Sequence, residues 1–250
     1  MDSALARNAD GIIVLSPEAE QVLLPHARGP IRVIPPGLDA SPNPSEAEQA
    51  HACKRHGLEP NQFTLYSGNL DRYQNLELLI AASEQIADPG HPIVIATHDA
   101  RGASALVQTR NTSIRIVQVD RFEEMRALLW AAHTLVMTRQ RTGGFPIKLL
   151  NYMEAAKPIV AFESIAVGLQ HDHSAWLLPS RAGSSELAHA LLSLRRDSGR
   201  AARLGVAARR RLETHHTWRN LAEETLALAR EITENSRLGT VHAKPVDLEE

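Results

Sequence analysis

Residues 142–162 read TGGFPIKLLNYMEAAKPIVAF, and the fold follows from how this stretch is punctuated. Gly143 and Gly144 break the chain after an apolar strand. Phe145-Pro146 then opens an amphipathic helix, which Ala156-Lys157-Pro158 closes before a second buried strand. Pro146 suits the first helical position, where its missing N–H costs nothing. The amides of Ile147 and Lys148 then lie at the positive end of the helix, and the glycine pair allows close approach, which together make a site ready for a phosphate. At about 100° per residue, Lys148, Asn151, Tyr152 and Ala155 share one face, with Leu149, Leu150 and Met153 opposite. This predicts a helix with a core side and a ligand side.

Outward from this unit the same alternation repeats. FTLYSGN, PIVIATH, IRIVQVD, TLVMTR, PIVAFES and AWLLPS read as strands separated by helical segments. Short, fully apolar strands alternating with helices predict an α/β fold, a Rossmann-like six-stranded parallel sheet with helices on both faces. Ligands of such sheets sit at the carboxyl ends of the strands. The loops at 67–75, 119–123 and 139–148 therefore converge on one crevice. Upstream, GIIVLS at 11–16 reads as a buried strand, Ser16-Pro17 caps a helix, and 31–34 is a further strand. A polar, turn-rich stretch at 38–44 reads as a linker, followed by a helix at 45–56. Helices at 184–195, 199–214 and 218–231 finish the body, and the tail from 235 lacks periodicity.

Composition excludes several classes. The 250 residues carry 27 basic and 29 acidic side chains, so the basic footprint of a nucleic-acid binder is absent. The arginines between 195 and 211 read as exposed helix surface. One cysteine, Cys53, rules out an internal disulfide framework and suits a reducing compartment. No apolar run approaches the ~20 residues of a membrane span, and the start MDSALARNAD lacks a signal-peptide core. The expectation is a cytoplasmic protein, with peripheral contact to a membrane left open.

Chemical motifs are few. After FTLYS the chain reads GNLDRYQN with the single glycine Gly68, so the GxGxxG turn of dinucleotide enzymes is missing, as is a GxxxxGK[ST] loop. His171-Asp172-His173 has no third ligand at suitable spacing, and no metal is expected. Ser16, Ser67 and Ser164 lack a GxSxG elbow, and Cys53 has no partner. What remains is the helix start with Lys148, and Arg139 and Arg141 just before it. Lys148 could also be a snorkelling surface lysine. Gly68 fits a tight strand-end turn as well as close approach of a ligand. Asn75 reads as an N-cap.

Four stretches, in this order, resemble the C-terminal, nucleotide-sugar-binding half of family 4 glycosyltransferases of GT-B architecture. ADGIIVLSPEAEQVL with IRVIPPGLD resembles the end of the family's N-terminal domain and the crossover. YSGNLDRYQNLELLIAA resembles the first strand–loop–helix of the donor domain. GGFPIKLLNYMEAAKPIVAF resembles its signature helix, and WLLP with the closing helices, through Thr217-Trp218, its carboxyl end. The chain departs from the pattern at four positions. Gly143 and Asn151 stand where common members carry two glutamates, and Asn69 and Gln74 where many carry an arginine and a lysine. Glu154 lies about 60° further round the helix and does not replace a lost carboxylate.

The resemblance implies residues 1–40 as the end of an N-terminal acceptor domain, 41–232 as the nucleotide-sugar-binding domain, and 233–250 as a flexible tail. It implies retaining transfer of a hexose from a nucleotide diphosphate sugar to an unknown acceptor, without an obligatory metal or other cofactor. Lys148 and Arg141 would face the leaving group. Gly68, Asn69, Gln74, Arg139, Gly143, Gly144, Phe145, Pro146, Ile147 and Asn151 would hold the donor, with the loop at 118–122 near the base. A second reading is a non-catalytic nucleotide-sugar-binding subunit, active only with a second polypeptide that supplies the N-terminal domain. A third is a sugar-nucleotide epimerase, disfavoured because no second domain encloses the cleft.

Overall fold

At the amino end, α1 (Asp2–Asn8), β1 (Ile12–Val14), α2 (Pro17–Leu23) and β2 (Ile31–Val33) succeed one another, and the two strands pair in parallel with Ile12 opposite Ile31. Ser16 caps α2, its Oγ accepting the Ala19 amide at 3.3 Å, with Glu18 and Glu20 in the first turn. The stretch 11–16 is not the buried strand that its composition suggests. Only three residues are extended, and Ile13 and Leu15 are 43% and 47% exposed. Leu5, Val22 and Leu24 are exposed as well. A sheet of two strands buries little on either face, so apolar composition alone does not place these residues inside.

The rest of the chain, through 215, builds the expected sheet. Ser45 starts α3 (Glu46–Arg55) with a capping box, its Oγ accepting the Glu48 amide while the Glu48 carboxylate accepts the Ser45 amide. Then come β3 (Thr64–Ser67), α4 (Leu76–Ile86), β4 (Ile93–Thr97), α5 (Ala100–Val107), β5 (Arg115–Gln118) and α6 (Phe122–Ala131). After them follow β6 (Thr134–Val136), α7 (Lys148–Glu154), β7 (Ile159–Phe162), β8 (Trp176–Leu178), α8 (Ser184–Arg196), α9 (Ser198–His215) and α10 (Trp218–Val241). Strands β3 to β8 are all parallel, in the order β5-β4-β3-β6-β7-β8, with helices around the sheet. Every residue of β3, β4, β6 and β7 is buried, as the unbroken apolar runs require for strands covered on both faces. The strand order reverses between β3 and β6, the point at whose carboxyl edge open parallel sheets bind ligands.

This computed structural model describes residues 2–39, 41–86, 88–108, 113–140 and 144–241, which fall into two compact units. One is Leu38–His215, and the other joins Met1–Gly37 to His216–Glu250. Helix α10 groups with the amino-terminal segment, because Arg32 pairs with Glu231 at 2.7 Å, the His216 ring nitrogen meets the Pro36 carbonyl at 3.1 Å, and Gly11 abuts Ile232. The same helix continues to Val241, through part of the expected tail.

Helix α7 corrects the two-faced expectation. Tyr152 and Ala155 are as buried as Leu149, Leu150 and Met153, which leaves Lys148 and Asn151 as the half-buried positions of the face expected to meet ligand. The cause is packing from several sides, including α6 and α9. Gly205 of α9 sits so close to the Ala156 carbonyl that any Cβ there would collide with it. Towards α6, Glu154 receives both Nε (3.0 Å) and Nη2 (2.7 Å) of Arg126, whose Nη1 and Nη2 also bond the Pro42 and Ser41 carbonyls. Glu154 is thus spent on structure, away from Lys148. Breaking a buried ion pair by removing one partner strands the other charge. Glu154→Ala is expected to cost about 3 kcal/mol in urea unfolding, and an unchanged midpoint would refute this role.

Candidate functional site

The crevice is framed by the loop after β3 and the segment leading from β6 into α7, and one ammonium joins the two. Lys148 Nζ donates to Gln74 Oε1 at 2.9 Å, to the Tyr66 hydroxyl at 3.2 Å and to the Ser67 carbonyl at 3.3 Å. It also lies 4.3 Å from the centre of the Tyr66 ring. All these partners are neutral. No carboxylate pairs with Lys148 among the described residues. Burial, with a smaller contribution from Arg139, holds its pKa down at about 7. Gly68, at φ +133°, leaves the space beside Nζ free of side chain, since a Cβ there would stand 3.2 Å from the ammonium.

The positions expected to grip a diphosphate directly fold back on their own loop. Asn69 Oδ1 accepts Gln74 Nε2 at 2.9 Å, and Asn69 Nδ2 donates to Asp71 at 2.5 Å and to the Tyr73 hydroxyl at 3.3 Å. The Tyr66 hydroxyl donates to the Asn69 carbonyl at 2.8 Å. Gln74 is buried, and its carbonyl accepts the Thr138 hydroxyl at 2.6 Å. Both amides therefore shape the cradle for Lys148. Asn75 stands directly before α4. It takes the left-handed conformation at φ +54° and donates to Gln140 Oε1 at 3.0 Å, bridging the two loops across the reversal of strand order.

Tyr152 belongs to the same construction. Its buried hydroxyl accepts the Ser67 amide at 2.9 Å and is 3.2 Å from Ser67 Oγ, and burial pushes its pKa up to about 12. It anchors the end of β3 from a fully buried position. In the lead-in to α7, Gly144 is exposed at φ +86° and Ile147 is exposed, whereas Phe145 and Pro146 are buried. Arg139 stacks on Tyr73, its guanidinium carbon 5.3 Å from the ring centre. Arg141, Thr142 and Gly143 lie outside the described residues. At the far side, the Val119 amide bonds the Thr97 carbonyl at 3.0 Å, so the loop expected near a base leaves the same edge of the sheet.

Tyr66, Gln140 and Thr138 were missed in the sequence, because polar groups at strand ends carry no periodic signal and their partners are at least 60 residues away or on a turning loop. Sites set aside in sequence are accounted for. His171 accepts the Leu177 amide at 3.0 Å, Asp172 pairs with Arg200 at 2.7 Å, and Cys53 is buried, its thiol pushed up to about 11 by burial. Among the described residues no cluster of three His, Cys, Asp or Glu could hold a metal ion, and no helix is long and apolar enough to cross a membrane.

A six-stranded parallel sheet with helices around it matches the Rossmann-like domains of GT-B glycosyltransferases. The family model of group 1 glycosyl transferases matches residues 61–197, over half of the chain, and the chain belongs to that family. No curated protein matches it by sequence. In structure it is similar to a sucrose-phosphate synthase from Thermosynechococcus elongatus, with TM-score 0.76 and 25% identity over 94% of this chain and 61% of that one. HepE from Anabaena, solved with UDP-glucose, aligns with TM-score 0.69 and 17% identity over 93% of this chain and 65% of its own. The C-terminal domain of LpcC from Francisella tularensis is matched over 96% of its length by 70% of this chain, with TM-score 0.59 and 15% identity. The chain thus spans less than two thirds of the first two of these proteins, while a lone C-terminal domain leaves 30% of it uncovered.

The environment of Lys148 makes a testable claim about stability. Its pKa falls on folding from 10.5 to about 7, so between those values the native state binds fewer protons than the unfolded state. Wild-type stability gains from this group as pH rises through that window, and below it the charged ammonium carries its full burial cost. Lys148→Met is therefore expected to be stabilising, relative to wild type, more at about pH 6 than at about pH 10, as measured by urea midpoints. A difference independent of pH would refute the buried, unpaired ammonium.

Proposed function

We propose that this chain is the donor-binding half of a glycosyltransferase that moves a hexose, with retention, from a nucleoside diphosphate sugar to an acceptor. The observation that carries the reading is the Lys148 ammonium, desolvated and without a carboxylate, at the strand-order reversal where this class of sheet binds ligands. Transfer breaks the bond between the anomeric carbon and the diphosphate oxygen, which departs with the electron pair, while the acceptor's nucleophilic atom bonds to the anomeric carbon and its proton passes to the departing diphosphate. A diphosphate lying over Gly68 would face Lys148 with no side chain between them. Its growing charge would be stabilised by that ammonium, in a partly desolvated cleft where the interaction gains strength, and by Arg139 and Arg141. Asn151 would hydrogen-bond the ribose, and the backbone from Gly144 to Ile147 the distal phosphate or sugar. The loop at 118–122 would lie near the base. No side chain of this set calls for a metal, and turnover is proposed to survive a chelator.

The second reading, a binding subunit that needs a second polypeptide for activity, is favoured by one observation. Leu5, Val22 and Leu24 are 64%, 69% and 62% exposed on the amino-terminal unit, whose two-stranded sheet leaves strand edges open among the described residues. A chain that binds donor yet releases no free sugar from it would support this reading over the first.

Calorimetric titration with UDP-glucose and GDP-mannose tests both. Loss of one charge-assisted contact predicts about tenfold weaker binding for Lys148→Met. Wild-type affinity is expected to fall as pH rises through about 7, because the lysine then loses the proton that attracts the diphosphate, and the variant should lack this dependence. Equal affinities for wild type and variant would overturn the assignment of Lys148.

A further inference from the structure

The arginines of α9, which sequence assigns to solvent, divide into two sets in the structure. Arg200 pairs with Asp172 at 2.7 Å and Arg209 with Glu213 at 2.7 Å, and both also lie over tryptophan rings. Arg203, Arg210 and Arg211 instead face a cleft of about 660 Å³ between α9 and the crossover that leads from β7 to β8, which supplies Gly168, Gln170 and His173. No aspartate or glutamate lines it. Arg210 and Arg211 meet no carboxylate among the described residues, and Arg203 reaches Asp172 only at 3.8 Å.

Arg211 is the most constrained of the three. Its Nη1 donates to His215 Nε2 at 2.9 Å, while its Nε is buried with no acceptor. The Nε–Nη2 edge of the guanidinium faces Gly168, at φ +80°, where a Cβ would stand 3.2 Å from Nε and 3.3 Å from Nη2. A partly buried guanidinium with no counter-charge among the described residues is costly, and an anion in the cleft supplies one. Three guanidinium groups carry more positive charge than one carboxylate offsets. A phosphate matches them better, with about −1.5 to −2 charges and three acceptor oxygens suited to the planar fork of arginine. Ala202, Ala207 and the 64% exposed Val206 line the same cleft, leaving room for an apolar part beside the phosphate.

We propose that this cleft binds a phosphate group, carried either by a soluble phosphate ester or by a lipid headgroup. It shares no residue with the donor crevice and stands independently of the reading given for Lys148. The probes are glycerol 3-phosphate, by calorimetry, and vesicles of phosphatidylcholine with or without phosphatidic acid, by co-sedimentation. The wild-type chain is expected to bind at least one probe. Glycerol 3-phosphate alone assigns a soluble ester, and the phosphatidic acid vesicles alone assign a lipid. Arg210→Ala/Arg211→Ala is expected to lose about tenfold or more in affinity. The charge-matched control Arg101→Ala/Arg196→Ala and the donor-crevice variant Lys148→Met should both bind as wild type. Arg210→Gln alters only an exposed side chain, and its smaller loss keeps the test sound should the double variant fail to fold. The proposal is overturned if neither probe binds, if the cleft variants match wild type, or if either control loses as much as they do.

Discussion

A single ammonium, held under the end of β3 by three neutral oxygens, is the constraint on which the ligand edge of this domain depends. Each of the three N–H groups of Lys148 is matched by one acceptor, from Tyr66, Ser67 and Gln74. That geometry exists only because α7 delivers the lysine from one side of the strand-order reversal and the β3 loop supplies the acceptors from the other. Satisfying the protons does not cancel the charge. With burial opposing the charged form and Arg139 adding to the repulsion, the ammonium stays close to neutrality's edge and meets no carboxylate among the described residues.

The surrounding polar groups make sense as the support for that charge. Tyr152 pins the Ser67 amide, Thr138 holds the Gln74 carbonyl, and Asn75 reaches Gln140, whose own Nε2 bonds the Ala182 carbonyl and whose carbonyl accepts the Ser164 hydroxyl. The network ties β3, β6, β7 and the approach to α8 at one edge of the sheet. The resemblance places Asn69 and Gln74 where many related transferases carry charged residues. They have not left a hole, because Lys148 enters from α7 and occupies the same region from beneath. Charge at this edge is thus supplied by a different element, at the expense of a more buried and more easily deprotonated donor.

Helix α9 shows a related economy on another surface. Its inner residues pack closely enough on α7 to require Gly205, while its outer arginines are either neutralised by acidic neighbours or gathered round a cleft without acids. Charge count alone could not separate these sets, since the pairing carboxylates come from the 168–174 crossover as well as from the helix itself. The amino-terminal unit has a different character, with Leu5, Val22 and Leu24 among several large apolar side chains in solvent.

Much was legible in the residues by themselves. Apolar runs bounded by glycine and proline determined the six parallel strands, and the unbroken runs of β3, β4, β6 and β7 are buried throughout, since a strand covered on both faces needs no polar alternation. Ser16 and Ser45 marked helix starts because a side-chain oxygen there replaces a missing backbone partner. Lys148 was singled out by its place after two glycines and a proline at the sheet's carboxyl edge. Tertiary structure alone decided what Lys148 touches, that Tyr152 is an anchor, that Glu154 belongs to Arg126, and that α10 folds with β1 and β2. Local periodicity reports which side of an element avoids water. It is blind to partners 28, 82 or 199 residues away, and those distant pairs set where each polar group finds its hydrogen bond.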